Sequence, residues 1–211
     1  LNINLITNTE VKSIEGEPGS FRAKLKSFPR YIDSAKCTGC GECSRACPVT
    51  TSDEFNQGLL PRAAVYIKYA QSVPLSYVID RDLCIGCGMC EKVCLAGAIT
   101  YDDKPKETEL ETGAVILAMG NEAFDPTPLD TFGYARLANV VTSLEYERIL
   151  NATGPFQGVL QRPLDLKLPQ KIAWLQCVGS RDNNRCHGYC SSVCCMYAVK
   201  EAVIAKEHSD H

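Results

Sequence analysis

The pattern of apolar and polar positions changes along the chain. Residues 1–32 alternate or run apolar, as in INLIT and FRAKLKSF, with turn signals at Gly16 and Pro18-Gly19, and predict a strand hairpin. AAVYIKYA at 63–70, followed by the turn-forming Val73-Pro74, predicts another hairpin in mid-chain. GAITYDD at 97–103 reads as a further strand, and KPKETELE at 104–111 as a charged linker. GAVILAMG at 113–120 has the composition of a short, fully buried strand ending in glycine, the kind found in α/β sheets. Residues 121–170 are rich in Pro, Gly and Asn, with one amphipathic helix near SLEYERILNA, for which Ser143 is a candidate N-cap.

The last third returns to regular patterning. KIAWLQ at 171–176 is a β-run, and SSVCCMYAVKEAVIAKE from 191 predicts a helix with Val193, Tyr197, Val203 and Ile204 on its apolar face. Strand, loop and helix follow in the order of a dinucleotide-binding unit, yet the expected Gly-x-Gly-x-x-Gly turn is absent. Cysteines stand in its place.

Those cysteines alter the picture most. The chain has 13, in three groups. Cys37, Cys40, Cys43 and Cys47 lie in CTGCGECSRACP, and Cys84, Cys87, Cys90 and Cys94 in CIGCGMCEKVCL. The two runs are copies offset by 47 positions, a shift that also superposes Ile32 on Ile79, Asp33 on Asp80, and Gly39 and Gly41 on Gly86 and Gly88. Each has the spacing C-x2-C-x2-C-x3-C, in which three thiolates wrap one 4Fe-4S cluster and the fourth ligates the other. Glycines between the thiolates let the backbone approach the cluster closely. This assigns a first cluster to Cys37, Cys40, Cys43 and Cys94, and a second to Cys84, Cys87, Cys90 and Cys47. Pro48 follows the first run as that signature asks, whereas Leu95 replaces proline after the second; the change removes a backbone restraint and no ligand. Zinc knuckles are the competing reading, but they come as cysteine pairs with a longer gap.

Composition excludes several functions. In 211 residues, 22 Lys and Arg stand against 25 Asp and Glu, so no basic excess points to a nucleic-acid partner. Apolar runs such as AVILAM are far shorter than the roughly 20 residues of a membrane span. The chain opens on LNINLITNTE with neither an initiator Met nor a secretory signal, and is expected to be a piece of a longer polypeptide. Clustered cysteines in a chain with 45% hydrophobic residues fit a reducing, cytoplasmic setting better than secreted disulfides.

The third group, CVGSRDNNRCHGYCSSVCC, holds five cysteines in residues 177–195. Three readings stay open. Cys186, His187, Cys190 and Cys194 match a structural zinc set. Cys194 and Cys195 are adjacent, but vicinal disulfides are strained and redox dithiols usually have C-x-x-C spacing. The third reading is a metal cluster at the start of the predicted helix, where backbone N–H groups and the positive dipole end favour cluster sulfides. Arg181-Asp182 is a candidate for orienting this loop.

The two four-cysteine runs, VILAMG, and CVGSRD followed by YCSSVCCMYAVKEA together resemble the family of the A subunit of heterodisulfide reductase, thioredoxin-reductase-like flavoproteins with inserted ferredoxin domains. The likeness covers essentially the whole chain. It implies an α+β chain: a two-cluster 4Fe-4S ferredoxin-like domain at 33–103, inserted into a partial FAD/NAD(P)-binding α/β domain. That domain contributes strands at 1–32 and resumes at 104–211. The resemblance further implies a third 4Fe-4S cluster on Cys177, Cys190, Cys194 and Cys195, FAD in the full-length protein, and Gly120 as the glycine closing a strand near that flavin. It also implies partner subunits of disulfide-reductase, hydrogenase or dehydrogenase type. The expected role is an oxidoreductase subunit relaying single electrons through 4Fe-4S clusters to or from FAD, with disulfide reduction left to a different polypeptide. No nucleophile–base or paired-carboxylate arrangement appears in the cysteine regions. Two other classes are a zinc-stabilised docking module for partner subunits, which would be colourless, and a standalone thiol reductase, which would expose a rapidly alkylated cysteine.

Overall fold

A computed structural model describes residues 2–209. The chain falls into two compact units: residues 1–52 with 61–119, and residues 53–60 with 120–211.

The first unit contains a three-stranded antiparallel sheet of β1 (Thr9–Glu17), β2 (Ser20–Ser27) and a strand late in the unit, Lys106–Thr112, in the order β1, β2, late strand. The hairpin turns at Pro18-Gly19, with a bulge between Val11 and Ser13. The late strand lies within the stretch read as a charged linker, so that expectation is corrected. KETELET has period two, with Glu107, Glu109 and Glu111 opposite Lys26, Lys24 and Arg22 of β2. Opposite charges across neighbouring strands stabilise pairing, and Arg22 lies 3.9 Å from Glu109 and 3.7 Å from Glu111. Polar composition concealed a strand held by cross-strand charge.

The segment joining β2 to this late strand carries both copies of the repeat. Helices α1 (Glu42–Arg45) and α2 (Met89–Val93) sit one in each copy. Two small antiparallel pairs lie between them: β3 (Thr50–Ser52) with β4 (Pro61–Ala63), and β5 (Val65–Tyr66) with β6 (Val78–Ile79). AAVYIKYA supplies the first strand of the expected hairpin, β5, which pairs with β6 across the segment holding Val73-Pro74, and its start also belongs to β4. It is shared between two pairs, because Val65 and Ala64 are drawn into the core, at 2% and 0% exposure. The strand at Lys106–Thr112 is numbered β7. GAITYDD contributes a single bridge, Ile99 to Ile32, flanked by hydrogen bonds from Asp33 N–H to Ala98 O (2.7 Å) and Thr100 N–H to Tyr31 O (3.0 Å). Ile32, Val65, Ile79 and Ala98 form the core together with Cys43 and Cys90.

The second unit is built on α3 (Ser143–Leu150) and α4 (Cys194–Glu207). Thr142 caps α3, one residue earlier than expected: its hydroxyl accepts from Glu145 N–H at 3.2 Å while the Glu145 carboxylate accepts from Thr142 N–H. A T-x-x-E capping box outcompetes Ser143, which has Tyr146 three residues on. The buried stripe of α4 is Ala198, Glu201 and Ala205, at helical spacing, whereas Val193 and Val203 are exposed. Tyr146 of α3 meets Trp174 edge to face at 5.8 Å, and Leu150, Leu160 and Ala205 complete the cluster. The Trp174 indole N–H donates to Glu201 Oε2 at 2.8 Å. Residues 53–60 are anchored by Arg148 of α3, which donates to Asn56 Oδ1 at 2.9 and 3.1 Å.

Two sequence expectations fail here. GAVILAMG forms no strand beyond residue 112, with Ile116 at 92% and Met119 at 88% exposure. KIAWLQ is also irregular. A short apolar strand holds its shape only when neighbouring strands take its backbone hydrogen bonds and cover both faces. Among the described residues no strand pairs with either segment.

Candidate metal centres

The two copies of the repeat fold alike. Cys37 N–H donates to Asp33 O and Cys84 N–H to Asp80 O, both at 2.9 Å. Gly41 and Gly88 precede the short helices in left-handed conformation, at φ +84° and +73°, and Gly39 and Gly86 share that conformation at +71° and +72°. Side chains rarely adopt these angles. At Gly41 a Cβ would also stand 2.8 Å from the Tyr77 hydroxyl. The fourth cysteine of each run follows one helical turn on, with Cys47 N–H bonded to Ser44 O and Cys94 N–H to Glu91 O, both at 3.2 Å.

Burial repeats as well. Cys43 and Cys90 are buried, Cys40 and Cys87 are exposed, and the first and fourth cysteines of each run are intermediate. Cys37, Cys47, Cys84 and Cys94 all pack on the central core. The crossing of the runs is direct at one centre: a cavity is lined by Cys84, Cys87 and Cys90 of the second run and by Cys47 of the first. Val49, Val65, Ile85 and Tyr101 supply its remaining walls, with Gly88. The Tyr101 hydroxyl lies 3.4 Å from Cys90 Sγ. Burial, and then the Cys90 sulfur, holds that hydroxyl above its usual range.

In the first run, burial pushes the Cys43 thiol up to about 11. The backbone N–H of Glu42 and then the Thr38 hydroxyl pull exposed Cys40 down. A thiol buried in apolar surroundings ionises only when a cation compensates its charge, so binding iron releases its proton. Ala98 N–H donates to Cys94 Sγ at 3.4 Å, the kind of bond that stabilises a thiolate ligand.

In the third group, Cys194 and Cys195 open α4, which no side chain caps at Val193. Cys195 is pushed up chiefly by Cys194 and then by burial, with Cys177 and Cys190 adding to the effect. Ser192 N–H donates to Cys190 Sγ at 3.3 Å. Cys177 and Ser192 both take left-handed backbone, at φ +53° and +63°, an uncommon state for residues with side chains. Gly179 of the CVGSRD stretch is fixed by crowding: a Cβ there would lie 2.6 Å from Leu129 and 2.7 Å from Phe124. Asp182 pairs with Arg185 at 3.4 Å and organises the turn, accepting from Asn184 N–H and, through its carbonyl, from Cys186 N–H. Its ion-pair partner is thus Arg185, not the adjacent Arg181. His187 stacks on Tyr189 at 5.1 Å.

Among the described residues no group of three or more His, Cys, Asp or Glu closes tightly enough around a single metal ion. One zinc would draw its thiolates to about 2.3 Å from a common point. A four-iron cluster gives each thiolate its own iron, and Cys47, Cys84, Cys87 and Cys90, which line one cavity, have the donor chemistry for it. Gly120 takes left-handed backbone at φ +76°, with nothing within 4 Å of where a side chain would begin. No described helix is long and apolar enough to cross a membrane. Sequence reasoning missed Tyr101 and Tyr77, whose only signal was an aromatic residue near each cysteine run.

Residues 30–50 and 78–99 each match a 4Fe-4S binding domain family. Over 98% of its length the chain is 46% identical to the A subunit of the H(2):CoB-CoM heterodisulfide,ferredoxin reductase of Methanothermobacter marburgensis, covering 31% of that protein. It is 48% identical over the same share to the iron-sulfur A subunit of the CoB–CoM heterodisulfide reductase of Methanocaldococcus jannaschii, covering 32% of it. A further relative at 48% is the A subunit of the H(2)/formate:CoB-CoM heterodisulfide,ferredoxin reductase of Methanococcus maripaludis. The chain spans about a third of the length of these relatives. With two 4Fe-4S binding domains and this identity along nearly all of its residues, the chain is homologous to an iron-sulfur segment, about a third in length, of the A subunits of heterodisulfide reductases.

Proposed function

We propose that this chain is the electron-transfer segment of a flavin and iron-sulfur oxidoreductase subunit. Cys37, Cys40, Cys43 and Cys94 hold one 4Fe-4S cluster, and Cys84, Cys87, Cys90 and Cys47 hold a second. Cys177, Cys190, Cys194 and Cys195 hold a third. The observation that carries the reading is the cavity in which Cys47 of one run joins three cysteines of the other. When bound, each cluster supplies thiolate-ligated iron that changes oxidation state without gaining or losing ligands.

The chain's own residues hold the site and keep it dry. Val49, Val65 and Ile85 wall the second centre, and low exposure to water is one lever on cluster potential. The glycine turns take left-handed angles that side chains rarely adopt, and at Gly39 and Gly41 a Cβ would also crowd Leu75 and Tyr77. In the third group, mutual repulsion among the thiols, which raises Cys195, is relieved when metal takes up their charge.

The two-cluster module, residues 33–103, sits as an insertion between β2 and β7 of a flavoprotein domain that holds FAD in the whole protein. Its partners are subunits of a redox complex. Names of relatives that mention hydrogen, formate and ferredoxin support donors and acceptors drawn from low-potential carriers.

The test is iron, acid-labile sulfide and zinc per chain after oxygen-free purification, with absorbance before and after dithionite. About twelve irons and no zinc, from three four-iron clusters, with brown colour that bleaches, are expected. About eight irons with one zinc would make residues 177–195 a structural zinc site. A colourless zinc protein would overturn the electron-transfer reading.

A further inference from the structure

We infer that Tyr101 sets the potential of the second cluster by donating its O–H to the Cys90 sulfur. This rests on the assignment of Cys90 to that cluster. The oxygen and sulfur are 3.4 Å apart, within range for a bond to sulfur. A cysteine bound to iron has lost its proton, so the tyrosine must be the donor. Tyr101 also walls the cavity shared by Cys47, Cys84 and Cys87, which keeps the hydroxyl on this centre.

At the first centre no tyrosine does the same: the hydroxyl there is that of Thr38, which acts on exposed Cys40 and not on Cys43, the buried cysteine that matches Cys90. The offset of 47 that relates the copies maps Tyr101 onto Glu54. Tyr77 is the aromatic residue beside the first run, where Cys43 and Cys40 act on it, but no cysteine sulfur accepts from its hydroxyl among the described bonds. A hydrogen bond to a ligating sulfur draws electron density from the iron and favours the reduced cluster, which raises its potential. Tyr101 therefore holds the second cluster more oxidising than its thiolates alone would, through a bond to its buried cysteine that Cys43 of the first run lacks among the described bonds.

The test is potentiometric titration of the cluster-loaded full chain, followed by electron paramagnetic resonance, for wild type, Tyr101→Phe, Tyr101→Leu and Tyr77→Phe. Iron content is measured first: a loss of the ferredoxin-type clusters from wild type would count against the ligand assignment, not against Tyr101. Given full loading, both Tyr101 variants should lower one cluster's potential by about 59 mV, a tenfold change in its one-electron equilibrium. The other cluster and the Tyr77→Phe protein should be unmoved. Deuterium exchange should also shift the Fe–S(Cys) vibrations less in Tyr101→Phe than in wild type. No shift in Tyr101→Phe, an equal shift of both clusters, or a shift in Tyr101→Leu alone, which would implicate ring packing, overturns the inference.

Discussion

Glu201 shows how one side chain governs a whole packing face. It is 1% exposed on α4, and Trp174 N–H satisfies Oε2 while Oε1 has no partner. Burial, partly opposed by the Trp174 hydrogen bond, pushes its carboxyl above the ordinary 4.5, with Glu147 raising and Lys200 lowering it further. The Tyr146 hydroxyl, also unpartnered, is pushed up to about 12 by burial and then by Glu201. A carboxyl whose folded pKa is raised gives stability that is full below the unfolded value. That stability is lost as pH rises through the folded value. Denaturant titrations between about pH 5 and 8 should show wild type weakening with pH and Glu201→Gln with a flatter profile. Glu201→Ala should cost about 1–3 kcal/mol, because the Trp174 N–H loses its acceptor.

Among elements, β7 depends on charge more than on burial. All seven of its residues are exposed, and its register against β2 places three Glu opposite Lys26, Lys24 and Arg22. Lys24→Glu would set like charges across the ladder and should destabilise by up to about 1 kcal/mol. Raising salt should shrink that loss, since exposed charges are screened, and Glu109→Lys in the same chain should restore it. Unfolding midpoints at low and high salt would check both. The alternation in KETELE was present in the sequence, but without the register its acidity reads as a solvated linker.

At the scale of the molecule, apolar sequence and buried sequence diverge. Ile79 is 2% exposed at the heart of the two-cluster module, while Ile116 is 92% exposed in the segment that reads as a buried strand. Ile79→Ala should cost about 2–5 kcal/mol and impair cluster loading. Ile116→Asn should change stability by less than about 0.5 kcal/mol in this chain. Unfolding curves paired with iron content distinguish the two, and a large loss at Ile116 would show that GAVILAMG is buried after all.

The sequence by itself determined the local chemistry. Cysteine spacing and the 47-residue offset specify the repeated glycine turns, and the structure reproduces each turn with the same hydrogen bonds. Turn and cap residues likewise place the β1–β2 turn at Pro18-Gly19 and the start of α3 to within a residue, because such signals act over a few bonds, whereas INLIT precedes β1 without forming a strand. What faces what was decided only by tertiary structure. Pairing of β7 with β2, the entry of Cys47 into the cavity of the other run, the meeting of Trp174 with Glu201, and the contact of Tyr101 with Cys90 each join residues whose proximity no local rule encodes. The same reason explains the failures at GAVILAMG and KIAWLQ: hydrophobicity states that a segment favours burial, and only neighbouring strands and helices decide whether it is buried.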